Sequence, residues 1–103
     1  MGSQPEIKSR PSVFDRSILL HQAMNDQALA DEVLGLFLQQ LADLAAKDWA
    51  KLDLRFEMHT LKGSAAAMGA LELAGIGHDW IEIGPDLQMR VSKAIVAFQA
   101  AAK

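Results

Sequence analysis

The sequence predicts an all-α fold, an antiparallel four-helix bundle with a short first helix and a long third helix that carries His59. Three observations support this prediction. The chain has no tyrosine and few β-branched residues, and no segment alternates apolar and polar residues for long. Alanine, leucine, glutamine and lysine, which favour helix, predominate. Apolar residues recur at helical spacing in segments that are separated by short breaks.

The composition excludes several classes of protein. Half of the 103 residues are hydrophobic and 22% are charged, which fits one folded domain rather than a disordered chain. The absence of cysteine excludes disulfides, thiolate zinc sites and a cysteine nucleophile. A net charge of −3 with scattered basic residues disfavours nucleic-acid binding. No apolar run approaches the roughly 20 residues that span a membrane. A cytoplasmic location fits the lack of cysteine, whereas the oligomeric state is not readable from the sequence and a monomer is the default expectation. We expect residues 1–11 to form a flexible N-terminal arm and residues 12–103 to form the bundle.

The first two helices are predicted from apolar spacing and one capping residue. The first covers residues 13–24, and the Asn25-Asp26 pair breaks the pattern. Asp26 is a suitable N-cap, because its carboxylate can accept hydrogen bonds from the unpaired amides of the next turn. The second helix then covers residues 27–47. Its predicted inward stripe consists of Leu29, Val33, Phe37, Leu41 and Leu44, widened by Leu34, Leu36 and Leu38.

The third predicted helix is long, beginning near Trp49 after a cap at Asp48 and ending at Gly84-Pro85-Asp86. Its inward seam is Leu54, Met58, Leu61, Ala65 and Met68, roughly continued by Ile76, Trp80 and Ile83. Gly75 and Gly77 each cost about 1 kcal/mol relative to alanine, so we expect a bend or fraying there. The last helix covers residues 86–102, with Leu87, Val91, Ile95 and Phe98 on its inner face.

His59 faces away from the core in this prediction. At about 100° per residue, the seam centres roughly 140° from the histidine. Lys62 and Gly63 lie one turn after it, and Arg55 lies one turn before. A neutral imidazole is a good nucleophile near neutral pH and can attack a phosphoryl group without a dedicated base. Lys62 could then reach the phosphoryl oxygens, and Gly63 leaves room for them.

The run His59-Thr60-Leu61-Lys62-Gly63-Ser64-Ala65, followed by Gly69-Ala70 and Leu73, closely resembles the signature helix of histidine-phosphotransfer (HPt) domains. The resemblance implies that His59 accepts a phosphoryl group through Nε2, and that Lys62, Gly63 and Ser64 orient or accommodate it. It implies a phosphocarrier of bacterial two-component signalling without turnover of its own, and with no cofactor or metal. The partners would be response-regulator receiver domains, which supply the aspartates and Mg²⁺, and a histidine kinase or hybrid histidine kinase.

A receiver must dock over His59, and helix geometry indicates where. Arg55, Phe56, Ala66 and Ala70 are the candidate docking residues, and Leu52 and Leu73 share the same face. The apolar members form either a docking patch or core beneath the first helix. The stretch at residues 75–80 departs from the family pattern, which leaves the path of the chain beyond Gly75 open. His21 and His78 are expected at the surface or at helix boundaries. A metal site is disfavoured, because His78 would lie about 28 Å from His59 along a continuous helix.

The sequence leaves three functions open. The first is phosphoryl relay from one receiver aspartate to His59 and on to a second receiver. The second is the phosphoacceptor domain of a chemotaxis-type or hybrid histidine kinase, phosphorylated by an ATP-binding domain elsewhere. The third is a non-catalytic helical docking or dimerisation module. The sequence names neither the upstream kinase nor the downstream regulator. The chain's length and the start of its helical pattern near Ser12 favour a free-standing shuttle over an excised domain.

Overall fold

The computed structural model of this chain describes residues 12–103, and within that range the protein is helical without any strand. The predicted N-terminal arm at residues 1–11 lies outside the described residues. From residue 12 onward, no helix has the length and apolar character needed to cross a bilayer. The described part contains six α-helices: α1 (Arg16–Gln22), α2 (Gln27–Ala46), α3 (Leu54–Ala67), α4 (Leu71–His78), α5 (Trp80–Ile83) and α6 (Leu87–Ala101). Two short 3₁₀ segments, Trp49–Lys51 and Gly84–Asp86, precede α3 and α6.

Aspartates begin most of the elements in the first half of the chain. Asp26 accepts a hydrogen bond from the amide of Leu29, so its prediction as the cap of the second helix is confirmed. Asp48 caps the 3₁₀ segment, and Asp53 caps α3 by accepting from the amide of Phe56. Asp15 caps α1, which is shorter than predicted. Each carboxylate satisfies an amide that would otherwise lack a partner in the first helical turn.

The single long third helix is the main prediction that proves wrong. The α-helix begins at Leu54 rather than near Trp49, and it ends at Ala67. At its end the amide of Ala70 donates to the carbonyl of Ala65 at 2.8 Å, and the amide of Gly69 donates to that of Ala66 at 3.2 Å. This pair of hydrogen bonds is the Schellman arrangement, which satisfies the last carbonyls of a helix and turns the chain away.

Gly69 allows this turn because its φ of +78° lies in the left-handed region. A Cβ at this position would also collide with the backbone carbonyl of Asp15. The segment that precedes α1 binds the turn directly. The amide of Asp15 donates to the carbonyl of Gly69 at 2.8 Å, and the amide of Glu72 donates to the carbonyl of Ser12 at 2.9 Å. The break between α3 and α4 therefore depends on a contact with a segment more than 50 residues earlier in the chain.

After this turn, α4 runs back along α3, and these two helices make the most extensive contact among the described elements. The expected bend near Gly75 and Gly77 is found slightly later in the chain: α4 continues through both glycines to His78, and the chain bends at Asp79 before α5. Gly77 is buried, and a Cβ there would lie 3.0 Å from the carbonyl oxygen of Met58 and from the amide nitrogen of Lys62. Gly77 thus lets the two helix backbones approach closely at the level of His59.

The hydrophobic core lies between α1, α2, α3, α4 and α6, with Phe98 fully buried. The Phe98 ring makes edge-on contacts with Phe14 and Phe37, at centroid distances of 4.9 and 5.4 Å. The predicted inner face of the last helix is confirmed, since all four of its residues are buried. The stripe of α2 is confirmed only in part. Leu29 and Leu36 are 38% and 66% exposed, so their predicted inward positions are wrong.

Candidate functional site

His59 lies on the outer face of α3 with its side chain exposed. Met58, Leu61 and Ala65, on the opposite face of the same helix, are 0%, 2% and 0% exposed. The prediction that the seam turns inward while His59 turns outward is therefore confirmed. The imidazole is accessible to a second macromolecule without any rearrangement of the core.

Lys62 and Gly63 lie one turn beyond His59 on the same exposed surface, and Arg55 lies one turn before it. No atom lies within 4 Å of the position that a Cβ of Gly63 would occupy. A solvent-facing glycine in mid-helix destabilises the helix by about 1 kcal/mol relative to alanine. Since a side chain at Gly63 would meet no neighbour, packing does not explain why a glycine is present here. The outer face thus presents two cations and an open notch beside one imidazole.

Acidic charge near His59 is held on the other side of the helix. Glu57 lies about 160° around α3 from His59, and Lys47 at the end of α2 binds both of its carboxylate oxygens at 3.1 and 3.2 Å. Glu57 is therefore neutralised locally by a partner from α2. The side of α3 that carries His59 keeps the positive charge of Arg55 and Lys62.

Ser64 is directed towards α2. It lies about 140° around α3 from His59, and its hydroxyl accepts a hydrogen bond of 3.4 Å from Nε2 of Gln40. The predicted role of Ser64 in orienting a phosphoryl group finds no support in this position. Its observed contact is a polar link between α2 and α3.

His78 is the residue near the site that the sequence interpretation missed. The ammonium Nζ of Lys62 donates to Nδ1 of His78 at 3.4 Å, and both side chains are exposed. The expected separation of about 28 Å between His78 and His59 assumed one continuous helix and is wrong. The signal that could have revealed the contact is Gly69, since a glycine at the end of a helical pattern favours a helix terminus. A hairpin closed there places residue 78 opposite the His59 turn.

Two residues on the face considered for docking, Ala70 and Leu73, are core residues, which is the alternative that the sequence had left open. Ala70 is 0% exposed and Leu73 is 1% exposed, so the prediction that Ala70 belongs to a docking surface is wrong. The angular extrapolation from His59 failed because α3 ends at Ala67, and residues beyond it belong to another element. Ala66 and Arg55 remain within α3 and are exposed.

Phe56 is 63% exposed beside His59, which is unusual for a phenylalanine in a helix that packs against others. With Leu36 of α2, which is 66% exposed, it borders an open groove of about 400 Å³ between α2 and α3. Thr60, one residue after His59, also lines this groove. The geometry joins an apolar concavity to the surface that carries the imidazole.

Among residues 12–103, no group of three or more histidine, aspartate or glutamate side chains stands close enough together to hold a metal ion. His21 is exposed on α1. Comparison of the chain with protein-family models, with curated proteins and with solved structures gave no significant match. The functional interpretation therefore depends on the geometry of the site and on the sequence motif.

Proposed function

We propose that this protein is a histidine-phosphotransfer domain that carries a phosphoryl group on His59 between receiver-domain aspartates in a cytoplasmic phosphorelay. The observation that supports this most directly is the exposed imidazole of His59 with Lys62 and the open space at Gly63 one turn away. Three structural roles for these residues are disfavoured. The imidazole is not buried, the lysine pairs with no carboxylate in the described part of the chain, and the glycine packs against nothing.

The proposed chemistry needs no catalytic base from this chain. Nε2 of His59 attacks the phosphorus of an aspartyl phosphate, the N–P bond forms, and the P–O bond to the carboxylate breaks. The aspartate leaves as a carboxylate, and Nδ1–H of the resulting phosphoimidazolium can lose its proton to water. The reverse reaction delivers the phosphoryl group to a second receiver. Lys62 offsets the charge on the phosphoryl oxygens, and the receiver supplies Mg²⁺ and the remaining carboxylates.

The bundle that we propose for this function consists of α2, α3, α4 and α6 in an antiparallel arrangement, with α1 packed across it. Supporting this proposal, α3 and α4 form a hairpin, and both α2 and α4 pack on α6. Phe98 of α6 and Phe37 of α2 are in direct contact in the core. In such a bundle α3 is held along its inner face, which leaves its outer face available to a partner.

The receiver is proposed to dock over the outer face of α3 and the groove that borders it. Phe56 and Leu36 would supply the apolar contact, and Arg55 would meet acidic groups around the receiver's active site. Exposed aromatic and aliphatic side chains around a reactive group are typical of surfaces that bind transiently. Ala66 adds a small side chain that does not obstruct close approach.

The test of this function is transfer of labelled phosphate from a phosphorylated receiver. The wild type should acquire label that is stable in alkali and labile in acid, as expected of phosphohistidine, and should pass it to a second receiver. His59→Gln should acquire none. His21→Gln, which changes an exposed histidine on α1, should behave like the wild type. Label retained by the His59→Gln variant would overturn the proposal.

The same assay separates the two alternative functions. A kinase phosphoacceptor domain would take label from an ATP-binding kinase domain and ATP, but not from a phosphorylated receiver. A docking module without chemistry would take no label from either, yet would still bind a receiver when His59 is replaced. Binding of the receiver to wild type and to Phe56→Ala, measured by calorimetry, should differ if the proposed docking surface is used.

A further inference from the structure

We propose that His78 is a positioning residue for Lys62, holding the lysine ammonium on the α4 side of the phosphoryl group carried by His59. The inference rests on the phosphocarrier function proposed above. It follows from one contact, in which Nζ of Lys62 donates to Nδ1 of His78 at 3.4 Å. Lys62 and His78 belong to different helices, so the contact fixes the lysine relative to α4 and not only to its own helix.

As a hydrogen bond, the contact requires one particular tautomer of His78. An ammonium is only a donor, so Nδ1 must present its lone pair, and a neutral ring then carries its proton on Nε2. That side of the ring faces Asp79, whose Oδ1 lies 4.0 Å from Nε2. At 4.0 Å this carboxylate is beyond hydrogen-bond distance, so the tautomer argument rests on the Lys62 contact alone. Of these three residues, Lys62 is the one that lies beside His59.

Gly77 is what makes this contact possible. Because it lacks a Cβ, α4 approaches the backbone of α3 at Met58 and Lys62. The next residue, His78, is thereby placed at the level of His59. A lysine free in solvent samples many rotamers, and each must be given up when it meets a phosphoryl group. An imidazole acceptor on α4 restricts these rotamers in advance and leaves the positive charge of Lys62 available. A carboxylate at the same place would neutralise that charge.

The position also leaves the approach to His59 open. Lys62 lies about 60° to one side of His59 around α3, and Gly63 lies about 40° to the other. With the ammonium held towards α4, a receiver can approach over Gly63 and Phe56 without displacing it. His78 thus separates the cationic side of the site from the side at which the partner binds.

The kinetic test compares single-turnover transfer from phosphorylated His59 to a receiver in five proteins. These are the wild type, His78→Leu, His78→Asn, Lys62→Met and the Lys62→Met/His78→Leu double variant. His78→Leu should slow transfer about fivefold, the effect of one ordinary hydrogen bond. His78→Asn should recover most of the rate, because the asparagine Oδ1 can replace Nδ1 as acceptor. The double variant should be no slower than Lys62→Met alone.

A spectroscopic test detects the contact without any phosphoryl transfer. The ¹⁵N resonance of Nδ1 of His78 should move when Lys62 is replaced by Met, while that of His21 stays unchanged. Wild-type transfer in His78→Leu, or the same fivefold loss in the Lys62→Met background, would overturn the positioning role and leave the phosphocarrier function standing. If the wild type acquires no label on His59, the phosphocarrier function fails, and the positioning role fails with it.

Discussion

The inner and outer faces of α3 lie within one helical turn of each other but differ in burial and polarity. The inner face, Met58, Leu61 and Ala65, is almost completely buried, whereas His59, Lys62 and Gly63 are exposed. The two glycines at this level show the same contrast. A Cβ at Gly77 would press on the α3 backbone at 3.0 Å, while one at Gly63 would meet nothing. Stability should therefore respond to changes on the inner face and, under the proposed function, phosphoryl transfer should respond to changes on the outer face.

The largest expected effect separates two apolar side chains only two residues apart. Met58→Ala should lower the free energy of unfolding by about 2–5 kcal/mol, because it removes a fully buried side chain and leaves a cavity. Phe56→Ala should change it by less than about 0.5 kcal/mol, since that ring is mostly exposed. Urea unfolding followed by circular dichroism measures both. Equal losses would mean that Phe56 is part of the core.

The second prediction makes the same substitution at two glycines of α4. Gly77→Ala should destabilise the protein by about 1 kcal/mol net, because the new Cβ forces α3 and α4 apart and outweighs the gain in helix propensity. Gly75→Ala should stabilise it by about 0.5–1 kcal/mol, since nothing lies within 4 Å of its Cβ position. Thermal unfolding of the two variants should give shifts of opposite sign. A stabilising Gly77→Ala would show that the helices can separate without loss.

Much of this contrast could be predicted from the sequence, because it depends on local periodicity. The bounds of α2 and α6, the cap at Asp26 and the outward direction of His59 all follow from spacing within a single helix. The end of α3 could not be predicted in the same way. Three successive alanines favour continuing the helix, and the turn at Gly69 is held by Asp15, which is distant in the sequence.

The residues of the candidate site likewise fall into those that one helix places and those that contacts between helices place. His59, Lys62 and Gly63 lie together because they are three and four residues apart on one helix, so the motif alone brings them together. His78 enters the site only through the α3–α4 hairpin, and Ala70 leaves it for the same reason. Leu36 was predicted to face inward and instead borders the groove with Phe56. Contacts between helices decide these positions, and no single-helix pattern reports them.

The third prediction tests whether the space at Gly63 serves the partner and not the fold. Gly63→Gln should leave the protein as stable or about 0.5–1 kcal/mol more stable, because glutamine is the better helix former. Its transfer rate should nevertheless fall, since the longer side chain occupies the notch beside His59. Gly35→Gln is the matched control, as Gly35 is likewise exposed in mid-helix with an open Cβ position. That variant should gain the same stability and transfer normally. Normal transfer by Gly63→Gln would remove the steric argument for Gly63.

The smallest expected effect concerns the turn that divides α3 from α4, through the residue that binds it. The side-chain hydroxyl of Ser17 donates to the Asp15 carboxylate and is the main reason that the pKa of Asp15 lies below its usual value of 3.8. A folded-state pKa below the unfolded one means that the carboxylate stabilises the fold above pH 3.8. That contribution is lost as the pH falls through the lowered pKa.

Asp15→Asn tests this effect, because asparagine is also a good N-cap but carries no charge at any pH. The wild type should be slightly more stable than the variant at neutral pH, and the difference should disappear in acid below the folded-state pKa. In Ser17→Ala the pKa of Asp15, followed by carboxyl NMR titration, should rise towards its ordinary value. A difference in stability between the wild type and Asp15→Asn that persists unchanged in acid would mean that the charge of Asp15 does not contribute to stability. In that case the backbone contact with Gly69, and not the carboxylate, would be what secures the turn between the two helices.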